Sequence, residues 1–226
     1  MSGDVWLPGP RNPTLSDDEL HLWRAPLKPD PPRLAALAAT LSDEEHQRAD
    51  RFHFGPDRDA FVLSRAALRA ILARYLGQEP TRLRFGASGL GKPFVVGGGD
   101  LRFSSSRSHG LALYAVARAR EVGVDIERVR DGVDHRAIAG RYFSADEREE
   151  LEGLPEPLAR PAFFTAWTRK EAILKANGQG LSAGLKDGDV SPSLAVRSLD
   201  VGPGHAAALA AEGLIGRLLT WEWQDG

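Results

Sequence analysis

Two short blocks of the sequence carry side chains whose types and spacing suit phosphate chemistry assisted by a metal ion. In Gly-Val-Asp-Ile-Glu, Asp125 and Glu127 are two positions apart, so an extended strand points both carboxylates to one face. In Trp-Thr-Arg-Lys-Glu-Ala-Ile-Leu-Lys, Glu171 and Lys175 are four positions apart and share one side of a helix. Mg²⁺ prefers carboxylate oxygens together with phosphate oxygens of a substrate. The blocks therefore predict a magnesium site at Asp125, Glu127 and Glu171, beside a lysine that contacts phosphate.

Each block also has an ordinary structural explanation. Acids at the end of a strand are usually solvated. Glu171 and Lys175 form the common ion pair of a helix surface, worth about 0.2–0.5 kcal/mol, and Trp167 on the same stripe suits a hydrophobic core. The occurrence of both blocks in one chain, rather than either block alone, favours an enzyme.

The composition excludes several classes of protein. With 226 residues, the chain is long enough for one sizeable domain or two small packed ones. A net charge of −2 gives no reason to expect a nucleic-acid or membrane-surface partner. The absence of cysteine excludes disulfides, thiolate metal sites and a cysteine nucleophile. Because no long apolar run or signal-peptide pattern is present, we expect a cytoplasmic protein.

The hydrophobic pattern predicts a mixed α+β fold. Strands are predicted at 20–23, 83–85, 94–96, 101–103, 111–117 and 122–127, followed by a β-rich tail. Helices are predicted at 33–39, after a capping box at Ser42, at 57–76, after a second capping box at Ser144, and at 159–177.

The sequence also repeats itself weakly. An offset of 102 positions aligns Ser42 and Glu45 of the first capping box with Ser144 and Glu147 of the second, and it aligns the two long helices without a gap. Two similar halves of about a hundred residues are therefore expected. The predicted division is a flexible N-terminal segment over 1–19, a first half over 20–118 and a second half over 119–226.

The acidic residues belong to the second half only, since Asp125, Glu127 and Glu171 align with Trp23, Ala25 and Arg69. A single site is expected, and the first half supplies its opposing wall. That half is rich in arginine at positions 48, 51, 58, 65 and 69. Taken singly, these are ordinary surface charges. As a group, their guanidinium forks suit a polyanionic ligand.

A glycine-rich stretch at 86–92 matches the first seven positions of a P-loop. Pro93, however, stands where Ser or Thr would hold magnesium, and the residues that follow predict a strand instead of a helix. We therefore reject a nucleotide-hydrolysing P-loop. Lys92 on a glycine turn still suits contact with a phosphate.

The order of the motifs resembles a 4′-phosphopantetheinyl transferase of the surfactin-synthetase-activating type. The similarity runs from about residue 20 to residue 185, and the two opening blocks are its most specific part. Its other segments are 23–27, 48–52, 91–93, 103–108 and 178–181. The resemblance implies two similar α/β halves related by a pseudo-twofold axis, with the active site in the cleft between them. It also implies a monomer that moves the phosphopantetheine arm of coenzyme A to a serine of an apo acyl or peptidyl carrier protein, releasing adenosine 3′,5′-bisphosphate.

The resemblance also implies roles for single residues. Asp125, Glu127 and Glu171 match the ligands of Mg²⁺, with Mn²⁺ as the alternative ion. Glu171 also matches the base that takes the proton of the carrier serine, and Lys175 matches the lysine that contacts the pyrophosphate. The expected coenzyme contacts are Arg58, Arg65, Lys92, Ser106, Arg107 and Lys175. Carrier specificity is expected around 131–158.

One motif departs from the family pattern. After Phe103, Arg107 replaces the usual phosphate-binding histidine, and His109 lies where glycine is usual. An arginine holds phosphate without depending on pH. The alternatives are a degenerate relative that binds coenzyme A or a carrier protein without catalysis, and an unrelated basic-cleft module that binds nucleotides or phosphate.

Overall fold

The computed structural model describes residues 3–28, 30–178 and 193–225. Its helices are α1 (Pro31–Ala38), α2 (Asp43–Ala49), α3 (Gly55–Leu76), α4 (His135–Tyr142), α5 (Ala145–Glu152) and α6 (Glu156–Asn177). Its first strands are β1 (Leu7–Pro8), β2 (Glu19–Pro26), β3 (Phe85–Ala87), β4 (Pro93–Val95) and β5 (Leu101–Ser108). The remaining strands are β6 (Leu111–Arg118), β7 (Val122–Arg128), β8 (Leu194–Leu199), β9 (His205–Glu212) and β10 (Arg217–Glu222). The predicted α+β class is confirmed, while residues 179–181 of the last motif lie outside the described part.

A five-stranded sheet in the order β1-β10-β2-β6-β5 forms the centre of the first half. One face packs against α3, around buried side chains that include Trp23, Leu72 and Phe103. The edge is formed from distant parts of the chain, because β10 pairs in parallel with β2 and β1 pairs with β10. The tail of the sequence and Leu7–Pro8 thus complete the sheet of the first half.

A three-stranded sheet in the order β7-β9-β8 forms the second half. Val124 and Ile126 of β7 face the inner side of the first sheet in one shared hydrophobic cluster. On the other side of β7, α6 approaches so closely that a Cβ on Gly123 would lie 1.9 Å from the Ala172 carbonyl oxygen. Only glycine permits this contact between strand and helix. The layers are therefore helix, sheet, sheet and helix.

The two halves repeat their elements. In each, a strand is followed by three helices and later by two antiparallel strands of the same sheet, giving the orders β2-β6-β5 and β7-β9-β8. In the first half, the separate hairpin of β3 and β4 comes between α3 and these two strands. Both predicted capping boxes are formed, at Ser42 with Glu45 and at Ser144 with Glu147. The pseudo-twofold axis and the predicted boundaries of the halves stay predictions. Within the described residues, the structure has no helix that could cross a membrane.

Candidate active site

The acidic side chains of the first block lie on the side of β7 that faces α6. Because Val124 and Ile126 point between the two sheets, Asp125 and Glu127 point the other way. Asp125 is buried with 3% of its surface exposed, and Glu127 is partly buried. The strand therefore presents both predicted carboxylates toward the helix that carries the second block.

Helix α6 brings a lysine to these carboxylates. Lys175 Nζ donates to Asp125 Oδ1 over 2.7 Å. The close contact at Gly123 fixes the helix against the strand directly beside this pair. The structure thus places the residues of the two blocks in one site, as their spacing predicts.

Two carboxylates of the site, Glu127 and Glu171, have raised pKa values. Burial is the main reason that the pKa of Glu171 rises to about 7, and the charges of Asp125 and Glu127 add to it, while Lys175 lowers it. Burial and Asp125 also raise the pKa of Glu127, against a hydrogen bond from Ser108. Three acids in one partly buried place are an unfavourable concentration of negative charge. A bound cation would relieve it.

The side chains fit such a cation without forming a closed ligand set. Asp125 Oδ2 is buried and has no hydrogen-bond partner among the described residues. An unpaired buried carboxylate oxygen is costly unless something positive binds it. In the described ranges, no three His, Asp or Glu side chains already have the arrangement of a metal site. The assignment of Asp125, Glu127 and Glu171 as metal ligands stays a prediction.

Alternate serines of β5 connect the two sheets at the site. Ser106 Oγ donates to Asp125 Oδ1 over 2.8 Å, and Ser108 Oγ donates to Glu127 Oε2 over 3.0 Å. Ser104 Oγ accepts the backbone N–H of Val124, which lies 3.1 Å away. We call these three hydroxyls the serine series. Ser106 and Ser108 fix the orientation of the two carboxylates, and Ser104 holds the backbone of β7.

A basic pocket of about 190 Å³ lies beside the carboxylates. Three guanidinium groups line it, from Arg48, Arg65 and Arg107, and Ser106 lines it as well. Because Ser106 also contacts Asp125, the basic pocket and the acidic site share a wall. An anionic ligand in the pocket would reach the edge of the carboxylate site.

Comparisons with known proteins identify the family of the chain. A sequence model of the 4′-phosphopantetheinyl transferase superfamily matches residues 121–209, and one of the N-terminal part of 4′-phosphopantetheinyl transferases matches residues 25–119. The chain belongs to the 4′-phosphopantetheinyl transferase superfamily. It is 44% identical over 188 residues to 4′-phosphopantetheinyl transferase HetI of Nostoc sp., covering 80% of this chain and 78% of that protein. It is 26% identical over 186 residues to 4′-phosphopantetheinyl transferase Sfp of Bacillus subtilis strain 168, covering 76% of this chain and 82% of that protein.

The predicted resemblance and the prediction of an enzyme are thereby confirmed. The family transfers phosphopantetheine, and the two family matches meet at the junction between the halves. The order of the motifs was sufficient to identify the transferase family. The roles of single residues depend on where the structure places them.

Arg107 lies in the pocket where the family pattern usually has histidine. Its guanidinium carbon is 5.5 Å from the Phe61 ring centroid, and its Nη1 donates to Ser64 Oγ over 3.4 Å. Burial, with the charge of Arg48, lowers the pKa of Arg107, and Tyr114 opposes that change. An arginine nevertheless remains charged at physiological pH. The substitution therefore keeps a cation in the pocket.

Two predicted coenzyme contacts lie elsewhere in this transferase fold. Arg58 is exposed and pairs with Asp50 over 3.4 Å, while Arg48, one of the noted arginines, lines the pocket. Lys92 Nζ is within 3.0 Å of the carbonyl oxygens of Val122 and Ala176 and also pairs with Glu121. It ties the glycine turn to the end of α6. The coenzyme-binding roles of both residues stay predictions. Each side chain would have to give up its present contacts in order to bind a phosphate.

His109 occupies the turn between β5 and β6. Its φ of 41° lies in the left-handed region, where glycine is the least strained residue and histidine is tolerated. This geometry explains why the family pattern has glycine there. Burial and the nearby arginines 128 and 130 lower the pKa of His109.

Sequence reasoning missed one residue of the site, Ser108. It orients Glu127, and its period-two alternation with Ser104 and Ser106 directly after the predicted strand at 101–103 was a usable signal. The predicted strand ended at Phe103, so the alternation was not extended to these serines.

Proposed function

We propose that this chain transfers the 4′-phosphopantetheine group of coenzyme A to a serine of an apo acyl or peptidyl carrier protein and releases adenosine 3′,5′-bisphosphate. The observation that supports this most directly is the wall that the basic pocket and the carboxylate site share at Ser106. Coenzyme A carries phosphate at both the 3′ and the 5′ position of its adenosine ribose. A basic pocket next to a carboxylate site suits such a molecule.

The basic pocket is proposed to bind the phosphates of the adenosine end. Arg48, Arg65 and Arg107 offer planar donor groups that match phosphate oxygens. Ser106 would donate to a ligand oxygen or keep its bond to Asp125. The 3′-phosphate, as a dianion, has the strongest attraction to three guanidinium groups in a partly buried pocket.

The carboxylate site is proposed to hold Mg²⁺, with Mn²⁺ as the alternative ion. The unpaired Asp125 Oδ2 and the raised pKa values of Glu127 and Glu171 support this assignment. When bound, the ion would neutralise negative charge on the pyrophosphate as the leaving group departs. Ser106 and Ser108 would keep Asp125 and Glu127 turned toward it.

Glu171 is proposed as the general base. A group with a pKa of about 7 can accept a proton near neutral pH. The carrier serine oxygen would form a bond to the phosphorus next to the pantetheine arm as its proton passes to Glu171, directly or through water. The bond between that phosphorus and the bridging oxygen breaks, and adenosine 3′,5′-bisphosphate keeps the electron pair. Lys175, which now contacts Asp125, would donate to the pyrophosphate.

Transfer is tested by incubating the protein with coenzyme A, Mg²⁺ and apo carrier proteins from fatty-acid, polyketide and nonribosomal-peptide systems. The expected result is a mass gain of one phosphopantetheine group on at least one carrier, abolished by a chelator. Tight coenzyme binding without any mass gain would indicate a degenerate relative. No coenzyme binding at all would overturn both the proposed transferase and the degenerate relative.

We further propose that the protein acts as a monomer in the cytoplasm. Light scattering checks the oligomeric state, and cell fractionation checks the location.

A further inference from the structure

Glu45 is a buried carboxylate that contacts Arg65, one of the three arginines that line the basic pocket. Its Oε2 accepts the Ser42 N–H over 2.9 Å, which closes the capping box of α2, and also accepts Arg69 Nε over 2.6 Å. Its Oε1 accepts Arg65 Nε. Burial alone would raise the pKa of Glu45, but Arg65, the Ser42 amide and Arg69 outweigh it and lower the pKa. Glu45 is therefore ionised and holds two arginines.

The two arginines differ in what remains of their donors. Arg69 is 1% exposed, and its Nη1 donates to the carbonyl oxygens of Pro80 and Leu83 over 2.7 and 3.1 Å. Arg65 donates only through Nε within the described part of the chain, and its guanidinium carbon lies 4.1 Å from the Phe85 ring centroid. Its two terminal nitrogens are left for a ligand.

Arg65 is thereby fixed by two contacts at different parts of its planar group. The carboxylate of Glu45 fixes Nε, and the Phe85 ring covers one face. A guanidinium held in this way loses little entropy when its terminal fork binds a phosphate. The side chain is 22% exposed and lines the basic pocket with Arg48 and Arg107.

We propose that Glu45 is a positioning residue for phosphate recognition: it holds Arg65 so that both terminal nitrogens meet the 3′-phosphate of coenzyme A. The inference rests on the proposed function and specifies how its pocket distinguishes coenzyme A from the same molecule without that phosphate. Glu45 does not touch the ligand. Its effect passes through Arg65.

The second half offers a matched control. Glu147 has the same place in the capping box of α5, accepting the Ser144 N–H over 2.7 Å, and it pairs with Lys170 over 2.8 Å. It holds no arginine of the basic pocket. Glutamine at this helix position preserves a capping box, so Glu45→Gln and Glu147→Gln remove one carboxylate charge each and keep the cap.

The experiment compares coenzyme A with 3′-dephospho-coenzyme A as donors to one apo carrier protein. We expect Glu45→Gln to lower the preference for coenzyme A, measured as the ratio of the two kcat/KM values, by about tenfold. The change should be in the KM for coenzyme A. Glu147→Gln should leave the ratio unchanged. Arg65→Lys, which keeps Glu45 and the positive charge but has no fork, should reproduce the loss and serves if Glu45→Gln fails to fold.

Calorimetry of ligand binding tests the role of Glu45 without requiring transfer activity. Adenosine 3′,5′-bisphosphate should bind Glu45→Gln about tenfold more weakly than the unmodified protein, whereas binding of adenosine 5′-phosphate should change little. Equal weakening of both ligands, or an unchanged preference in Arg65→Lys, would overturn the inference. Absence of transfer by the unmodified protein would instead contradict the proposed function, and the calorimetric comparison would still decide the role of Glu45.

Discussion

Arg69 and Glu171 occupy equivalent positions in the two halves, on α3 and α6. Arg69 is buried and donates to Glu45 and to two carbonyl oxygens. Glu171 is partly buried, and its side chain forms no hydrogen bond among the described residues. Burial and two neighbouring acids raise its pKa to about 7. The same place in a repeated scaffold thus holds a satisfied charge in one half and an unsatisfied one in the other.

The difference matches the proposed roles, in which the second half carries the catalytic residues and the first half binds the coenzyme. A side chain whose contacts are all satisfied adds stability and has nothing left for a ligand. A side chain placed among like charges reduces stability until a cation or substrate arrives. Local strain of this kind is a better marker of the reactive half than the fold, which both halves share.

The largest expected effect concerns activity. Glu171→Gln should reduce phosphopantetheine transfer by about 10²–10⁴-fold, because it removes the proposed base, while coenzyme binding remains. Transfer is followed by mass spectrometry of the carrier, and binding by calorimetry. Glu156→Gln, an exposed position on the same helix, is the control and should keep full activity. Turnover within a few-fold of normal in Glu171→Gln would refute the assigned role.

The comparison predicts effects of opposite sign on stability. Arg69→Met should lower the free energy of unfolding by about 3 kcal/mol, because it breaks a buried ion pair and leaves two carbonyl oxygens without donors. Glu171→Gln should raise it by about 1 kcal/mol, because it removes a carboxylate from among like charges. Urea unfolding in the absence of divalent ions measures both. Loss of stability in both variants would erase the distinction between the two halves.

His21 aligns with Gly123, so its titration belongs to the first half alone. Burial lowers the pKa of His21 to about 4, against the charge of Glu19 and with the charge of Arg217. The unfolded chain, with a histidine pKa near 6.5, binds more protons at this group between these values, so the contribution of His21 to stability falls as the pH drops from about 6.5 to about 4. Glu171, whose pKa is raised to about 7 in the fold, contributes with the opposite sign over nearly the same range.

The His21 contribution should amount to about 2–3 kcal/mol across that window. It is measured by urea unfolding at several pH values, as the difference between the unmodified protein and His21→Gln, because both proteins carry the opposing contribution of Glu171. His53→Gln, at an exposed histidine, is the control. A pH dependence that is the same in His21→Gln and the unmodified protein would show that other groups cause it.

The smallest expected effect is at the serine series. Ser108→Ala should weaken Mg²⁺ binding a few-fold, because Glu127 loses the hydrogen bond that orients it. Ser104→Ala removes a hydroxyl of the same strand that contacts no carboxylate and should leave the affinity unchanged. Calorimetric titration with Mg²⁺ compares them. Equal weakening in the two variants would mean that the whole strand, and not Ser108, holds the site.

The sequence predicted those parts of the site that depend on local spacing. Asp125 and Glu127 alternate with core residues of a strand, and Glu171 and Lys175 share a helix face, so their directions follow from the backbone period. The two capping boxes likewise define helix starts through contacts three residues apart. Such features need no knowledge of distant contacts.

Features that depend on contacts between distant parts of the chain could not be predicted from local spacing. Lys92 bonds to carbonyl oxygens 30 and 84 positions away, so its sequence neighbours do not reveal that its ammonium is occupied. Arg48 and Arg58 looked alike in the sequence, and only the packing of α2 on α3 turns Arg48 into the pocket. The parallel pairing of β10 with β2 joins residues about 200 positions apart and leaves no local pattern.

The serine series also affects how the molecule behaves toward other chains. Strands β5 and β7 are the edges of their sheets, and an open sheet edge is a template for pairing with a foreign strand. Hydroxyls of β5 accept the backbone N–H groups of Val124 and Arg128, so each edge covers the other. A fragment carrying either half alone would expose its edge and aggregate. Packing of both halves in one chain therefore keeps these two edges from pairing with other chains.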